Sequence, residues 1–345
     1  MRRSHLLALA SLVAVLGVAP PQAATAQDAS DTQWLHERFA FRVSNRRDNG
    51  EMMKLLQPVC ESPGAATVQV FSDGKPVALG IVVGSDGLVL TKRSELSGDP
   101  IRVRLPDQRL VNARVAAVRR EADLALLQAD AEGLETASFS TVEPEVGSFL
   151  ISVGRGGRPI GLGVVSVRPR AIHAYGRLGV RLENDEQGNA RVDVVVPASG
   201  AHDAGIQPGD QILAVDGREA DGRDEVIQAL RDRFPGENVH LTISREGDKV
   251  ELDAQIREFS LMLESENDSR LNGPRSNRLS GFESVLQHDT VLDPDQCGGP
   301  ILDSAGKVIG VNIARAGRVV SYALPAALVV PLVEEMVQEV RGSQN

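Results

Sequence analysis

The stretch DPDQCGGPILDSAGKVIGVNIA, Asp293 to Ala314, reads as four elements in succession. A tight turn comes first, then a short apolar strand, a two-residue turn at Ala305-Gly306, and a second apolar strand. Cys297 stands inside the first turn, followed by Gly298 and Gly299. The same grammar recurs upstream. ATVQVFSDGKPVALGIVVGSDGLVLTK alternates apolar and polar residues and is punctuated by Asp73-Gly74 and Asp86-Gly87, both hairpin signals because Gly tolerates positive φ. Further strands are predicted at IRVRLP, RVAAVRR, LALLQAD, SFLISVG and IGLGVVSVRPRAI. Many short, regularly spaced strands argue for a β-barrel or sandwich.

The flanks differ. Arg2-Arg3, the apolar run Leu6 to Ala19 and the small residues Ala24-Thr25-Ala26 form the pattern of a secretory signal peptide over 1–26. The apolar run is too short for a membrane span, and no later one is long enough, so an exported, periplasmic or extracellular protein is expected. Residues 27–60 read as a mostly helical segment, broken at Arg46 to Gly50. The chain carries 37 Lys and Arg against 47 Asp and Glu; without Arg2 and Arg3 the formal charge falls from −10 to −12. Such a surface repels nucleic acid and anionic lipid, so neither is an expected partner. Two cysteines, Cys60 and Cys297, allow one bridge at most and no disulfide framework. The histidines are scattered, without metal-ligand spacing, and no cofactor motif is present.

A different unit begins near Tyr175. GRLGVRLE opens a strand with glycines, and ARVDVVVPASGAHDAGIQPGDQILAVDGREA, GRDEVIQALRDRF and NVHLTISREGDKVELDAQI follow. Together the G-R-L-G-V opening and the A-G-I-Q-P-G-D-Q-I-L-A-V-D-G core resemble a PDZ domain of the bacterial protease-associated type, over 174–258. Residues 259–280 contain ESENDSRLNGPRSNRLS, almost free of apolar residues, and read as a flexible linker. Strand signals return after 281, and the tail AALVVPLVEEMVQEV has helical spacing.

Three motifs outside the PDZ-like unit resemble the HtrA/Deg family of trypsin-fold serine proteases: GIVVGSDGLVLTKRS, ADLALL and DQCGGPILDSAGKVIGVN, in that order. The resemblance implies a mostly β chain. Its parts are a trypsin-like double β-barrel split over 61–173 and 281–345, the second part ending in a helix, with an α+β PDZ-like domain inserted. It also implies a triad, which this chain carries in degenerate form. Ser94 occupies the histidine position, Asp123 the aspartate position and Cys297 the serine position, while Asp295 replaces the oxyanion-hole glycine. A serine hydroxyl cannot shuttle a proton near neutral pH. Asp123, with no imidazole to orient, then reads better as a surface carboxylate opening a strand. A free thiol keeps some nucleophilicity, but a carboxylate beside a developing oxyanion is unhelpful. His288 and His173 are the two candidates for a substitute base.

The PDZ resemblance implies capture of an extended polypeptide or protein C-terminus as an added strand. Arg177, Leu178, Gly179 and Val180 would form the carboxylate loop, and Val180, Leu182, Val226 and Leu230 an apolar pocket. The leading expectation is an inactive pseudoprotease that binds peptides or unfolded envelope proteins. The alternatives are an active endopeptidase using Cys297, and a redox or structural role for the cysteines. A homo-oligomer stays open.

Overall fold

The computed structural model describes residues 47–174 and 176–343, so the signal-peptide reading and most of the predicted helical segment lie outside the described residues. The first described helix is α1 (Gly50–Ala65), which runs past the boundary placed at residue 60 despite Pro58 and Pro63.

Six strands follow: β1 (Thr67–Ser72), β2 (Lys75–Gly84), β3 (Leu88–Lys92), β4 (Ile101–Arg104), β5 (Leu110–Arg119) and β6 (Leu124–Ala129). They close into a barrel in the order β1-β2-β3-β6-β5-β4. The β1–β2 turn forms because Asp73 and Gly74 both take positive φ, 50° and 74°, as a twist-matched hairpin turn requires. Every residue of β3 is buried, the pattern of a strand covered on both faces.

The second barrel starts with β7 (Phe149–Val153) and β8 (Pro159–Ile172), and the PDZ-like unit interrupts it. That unit comprises β9 (Gly176–Arg177), β10 (Val180–Asn184), β11 (Ala190–Val195), α2 (Gly200–Asp203), β12 (Gln211–Val215), β13 (Arg218–Glu219), α3 (Arg223–Arg231), β14 (Asn238–Arg245), β15 (Asp248–Gln255) and β16 (Arg257–Glu258). Its sheet runs β10-β11-β12-β14-β15, with β13 on β12. β9 pairs with β16 at Arg177–Arg257, so the two ends of the insertion meet. The unit has its own core of Leu178, Ala190, Val192, Ile212, Val226, Leu241, Ile243 and neighbours.

The chain then forms α4 (Phe259–Met262) and α5 (Glu266–Asn272) before returning to the barrel. This corrects the expectation of a flexible linker over 259–280: Ser276, Arg278 and Ser280 are buried. The polar residues at its end find partners inside the protein, while 265–271 stay exposed on and around α5. β17 (Phe282–His288), β18 (Pro300–Leu302), β19 (Val308–Gly317) and β20 (Val320–Pro325) complete a barrel ordered β17-β20-β19-β18-β7-β8. β17 pairs with β8 across the insertion, Phe282 opposite Ile172. α6 (Ala326–Gly342) turns Ala326, Val329, Met336 and Val340 inward at helical spacing. They join Leu124, Leu126, Phe282, Val311 and Leu324 in one core shared by both barrels. Among the described residues no helix is long and apolar enough to cross a membrane.

Candidate functional site

The three residues singled out by the motifs, Ser94, Asp123 and Cys297, converge where the barrels meet. Ser94 sits in the turn after β3, and Asp123 immediately before β6 with φ 58°. Asp123 is not a surface carboxylate: it is fully buried, and Ser94 donates to it twice, from its N–H at 2.9 Å and its Oγ at 2.8 Å. Asp123 is thus held by Ser94. Burial pushes the Asp123 carboxyl up from its ordinary range, against the pull of Lys92, Arg278 and the Ser94 bond. Lys92 is also fully buried, its Nζ 2.9 Å from Glu95 Oε1. Burial works to lower its pKa, but Glu95 and Asp123 hold it above its usual value.

Cys297 has no exposed surface. Its Sγ lies 3.9 Å from Ser276 Oγ and 3.8 Å from the Asp293 carbonyl. Burial raises its pKa, only partly offset by Lys92 and Ser276, so the thiol is protonated near neutral pH. Both cysteines are free, and the Cys60 thiol is pushed up to about 11 by burial, in a cluster with Ile151, Val153 and Leu302.

The loop before Cys297 explains why the site is shut. Asp293-Pro294-Asp295-Gln296 carries a helix-start signature, with Pro in the first turn and Gln three residues after the cap. Gln296 Oε1 accepts the Asp293 N–H at 2.9 Å, and Pro294–Gln296 form a 3-10 turn. That turn consumes the Cys297 N–H, which donates to the Pro294 carbonyl at 3.2 Å. An oxyanion hole needs that N–H free and aimed at the reacting oxygen. Asp295 adds a half-buried carboxyl, raised by burial and by Asp293, on the same turn. Gly298 is required beyond the cysteine: its φ is 93°, and a Cβ there would lie 2.2 Å from the Leu79 carbonyl.

Sequence reasoning missed the lid over this cluster. Ser276 pairs with the edge of β19 beyond the end of β18, donating its N–H to the Arg315 carbonyl at 3.1 Å. Asn277 binds both oxygens of Glu95, at 3.0 and 2.7 Å. Arg278 is fully buried, donates to the carbonyls of Arg120, Glu121, Ser280 and Gly281, and stacks between Phe234 and Phe282. The PDZ-like unit contributes a roof. Glu237 accepts Arg120 and Arg93, and a Cβ on Gly236 would lie 2.9 Å from Ser94 Cβ. Neither candidate base joins this group: His288 is buried at the end of β17, and His173 lines a separate groove with Phe282 and Leu332. Among the described residues no cluster of His, Cys, Asp and Glu could hold a metal.

The second candidate site is a groove of about 550 Å³ between β10 and α3. Arg177, Leu178, Gly179, Val180, Leu182 and Leu230, all named from the sequence, line it. Val226 does not: it faces the core of the unit, and Ile227 lines the groove in its place, a one-residue difference of phase on α3. Phe259 and Met262 of α4, unforeseen, close one side. Gly179 is a packing requirement more than a ligand one, because a Cβ there would meet Ser199 Cβ at 2.1 Å. β10 is the edge of its sheet, open to an added strand. Neither the Leu178 nor the Gly179 N–H donates to an acceptor among the described residues.

With these two sites described, comparison with known proteins gives two matching domain families. Residues 78–211 match the trypsin-like peptidase domain and residues 176–256 the PDZ domain. A curated relative from Pseudomonas savastanoi pv. phaseolicola, named "Probable periplasmic serine endoprotease DegP-like", is 26% identical over 125 residues. The match covers 34% of this chain and 26% of the relative, so the chain spans about a quarter of that protein's length. Among solved structures, an HtrA-type protease AlgW with decapeptide aligns at TM-score 0.29 and 18% identity, over 57% of this chain and 97% of that one. A variant of it with decapeptide aligns at 0.28 and 17%, over 58% and 96%.

Proposed function

We propose that this chain, which is HtrA-like with a trypsin-type fold and a PDZ domain, binds polypeptide without cutting it. One observation carries the reading: the Cys297 N–H that would stabilise an oxyanion is spent on the Pro294 carbonyl inside a capped turn. Three others support it. The histidine slot holds Ser94, already bonded to Asp123. The thiol is buried and protonated. Ser276 occupies the β19 edge beside it. Removing one oxyanion donor alone costs a serine protease of another fold about 10²–10³ in turnover, and this centre also lacks the base. The groove on the PDZ unit, in contrast, keeps an open strand edge, two unspent N–H groups and an apolar floor. Those are the parts needed to add a peptide as a strand and hold its terminal carboxylate. The name of the periplasmic relative and the signal-like leader support an exported protein, so the natural ligands are polypeptides of the cell envelope.

The test is casein turnover by the mature chain beside Cys297→Ala. Both are expected at background. Turnover that vanishes in Cys297→Ala overturns the reading and restores the cysteine endopeptidase.

A further inference from the structure

The groove carries a charge pattern at odds with the rest of the molecule. The chain is acidic, at −10, yet the residues lining the groove include Arg177, Arg181, Arg223 and Arg231 and no Asp or Glu. Two of the four are committed within the protein. Arg181 pairs with Asp193, and Arg177 donates to the Gly176 carbonyl at 2.7 Å while lying over the Phe259 ring. Arg223 and Arg231 are exposed and make no ion pair among the described residues.

Their placement sets a ruler. The N–H of Arg223 donates to Asn184 Oδ1 at 2.8 Å, which puts the start of α3 at the far end of β10. The other end of α3 leads to Arg233, whose carbonyl lies 2.6 Å from where a Gly176 Cβ would be, beside the carboxylate loop. Arg231 therefore stands near the loop with Arg177, and Arg223 stands upstream. Eight helical positions separate them, about 12 Å at 1.5 Å per residue. An added strand rises about 3.3 Å per residue, so that span is between three and four peptide residues. The apolar surface between them, Val180, Leu182, Ile227 and Leu230, suits an apolar side chain.

We propose that the groove selects acidic peptide ends: an apolar C-terminal residue whose carboxylate sits at the loop near Arg231, with an Asp or Glu three to four positions upstream on Arg223. This rests on the peptide-capture reading above. It adds a specificity that neither strand addition nor an apolar pocket supplies, because those accept any side chain upstream. Long-range attraction also offsets the repulsion that an acidic ligand meets from the acidic remainder of the surface.

The experiment uses the full mature chain and fluorescein-labelled decapeptides ending in Val, read by anisotropy. Four probes differ only in chemistry: Glu, Gln or Lys at the fourth position from the end, and the Glu peptide with an amidated C-terminus. The Glu peptide is expected to bind about two- to fivefold tighter than the Gln peptide, the range of one exposed ion pair. The Lys and amidated peptides should be weaker still, and the Glu preference should shrink as salt is raised. Arg223→Gln should bring the Glu peptide down to the Gln peptide, with the melting curve checked to show that the fold is kept. Equal binding of Glu and Gln peptides to the native protein, or a preference that survives Arg223→Gln, overturns the acidic specificity and leaves peptide capture standing. Failure of all four probes to bind overturns both.

Discussion

Replacing His288 should remove most of a pH dependence that its burial creates. His288 has no exposed surface, and among the described residues neither ring nitrogen meets a partner at good hydrogen-bond geometry, the neighbouring Asn312 amide included. Burial pushes the imidazole down to about 4, against the weaker pull of Asp289 and Asn312. In the unfolded chain it returns to about 6.5. Between those values the unfolded state binds a proton that the native state refuses, so stability is full above pH 6.5 and is lost as pH falls towards 4. The gap of about 2.5 pK units, at 1.36 kcal/mol each, is about 3 kcal/mol, of which roughly 2 is gone by pH 5. Urea unfolding from pH 7.5 to 4.5, in the native chain and in His288→Gln, isolates this amount. Other buried carboxyls titrate in both proteins and cancel in the difference. The two stability curves should diverge by about 2 kcal/mol or more on acidification, the native chain losing more. Parallel curves would mean that His288 takes up its proton in the folded state, refuting the buried, neutral imidazole.

Ser94→His combined with Cys297→Ser should leave casein turnover at background, because the residue-297 N–H stays bound to Pro294 and Gly236 crowds the new imidazole. Turnover approaching that of active serine endoproteases would refute the closed-turn argument. On α3, Val226→Ala should cost about 2 kcal/mol in urea unfolding, since it removes two buried methyl groups from the core of the PDZ unit. Ile227→Ser should cost under about 0.5 kcal/mol, yet weaken peptide binding; the opposite pattern would put Val226 in the groove.

The legible parts of the fold were the local ones. Asp73-Gly74 announces its hairpin because two adjacent positive-φ residues are a purely local demand, and the strands of both barrels follow from such turns. The convergence of Ser94, Asp123 and Cys297 was legible from three motifs in order. What the sequence hid was set by distant partners. Asp123 is buried because Lys92 and Arg278 come to it from 31 positions before and 155 after. Arg278 sits in a stretch whose composition resembles a linker, and nothing local reveals four carbonyls and two aromatic rings waiting for its guanidinium. Val226 and Ile227 differ by one step on a short helix, and the apolar pattern of DEVIQAL fits either phase. The DPDQ turn is a different case. Its capping signature was fully local, and it is hidden only by reading those residues as a damaged protease loop.

The buried polar residues around Cys297 are best understood together, as one structural cluster. A buried aspartate needs donors, and Ser94 supplies two. Asp123, Glu95, Lys92 and Arg278 then form a closed set of two acids and two bases, each facing an opposite charge or a ring of carbonyls. Removing one member of such a buried set strands its partner, at about 3–5 kcal/mol, a large part of a domain's total stability. The lid is bonded to that set through Asn277 on Glu95, with Arg278 shared by both, and the PDZ roof is bonded next to it, where Glu237 accepts Arg93 and Arg120. The insertion is therefore tied to the first barrel by contacts that lie directly beside the residues covering Cys297.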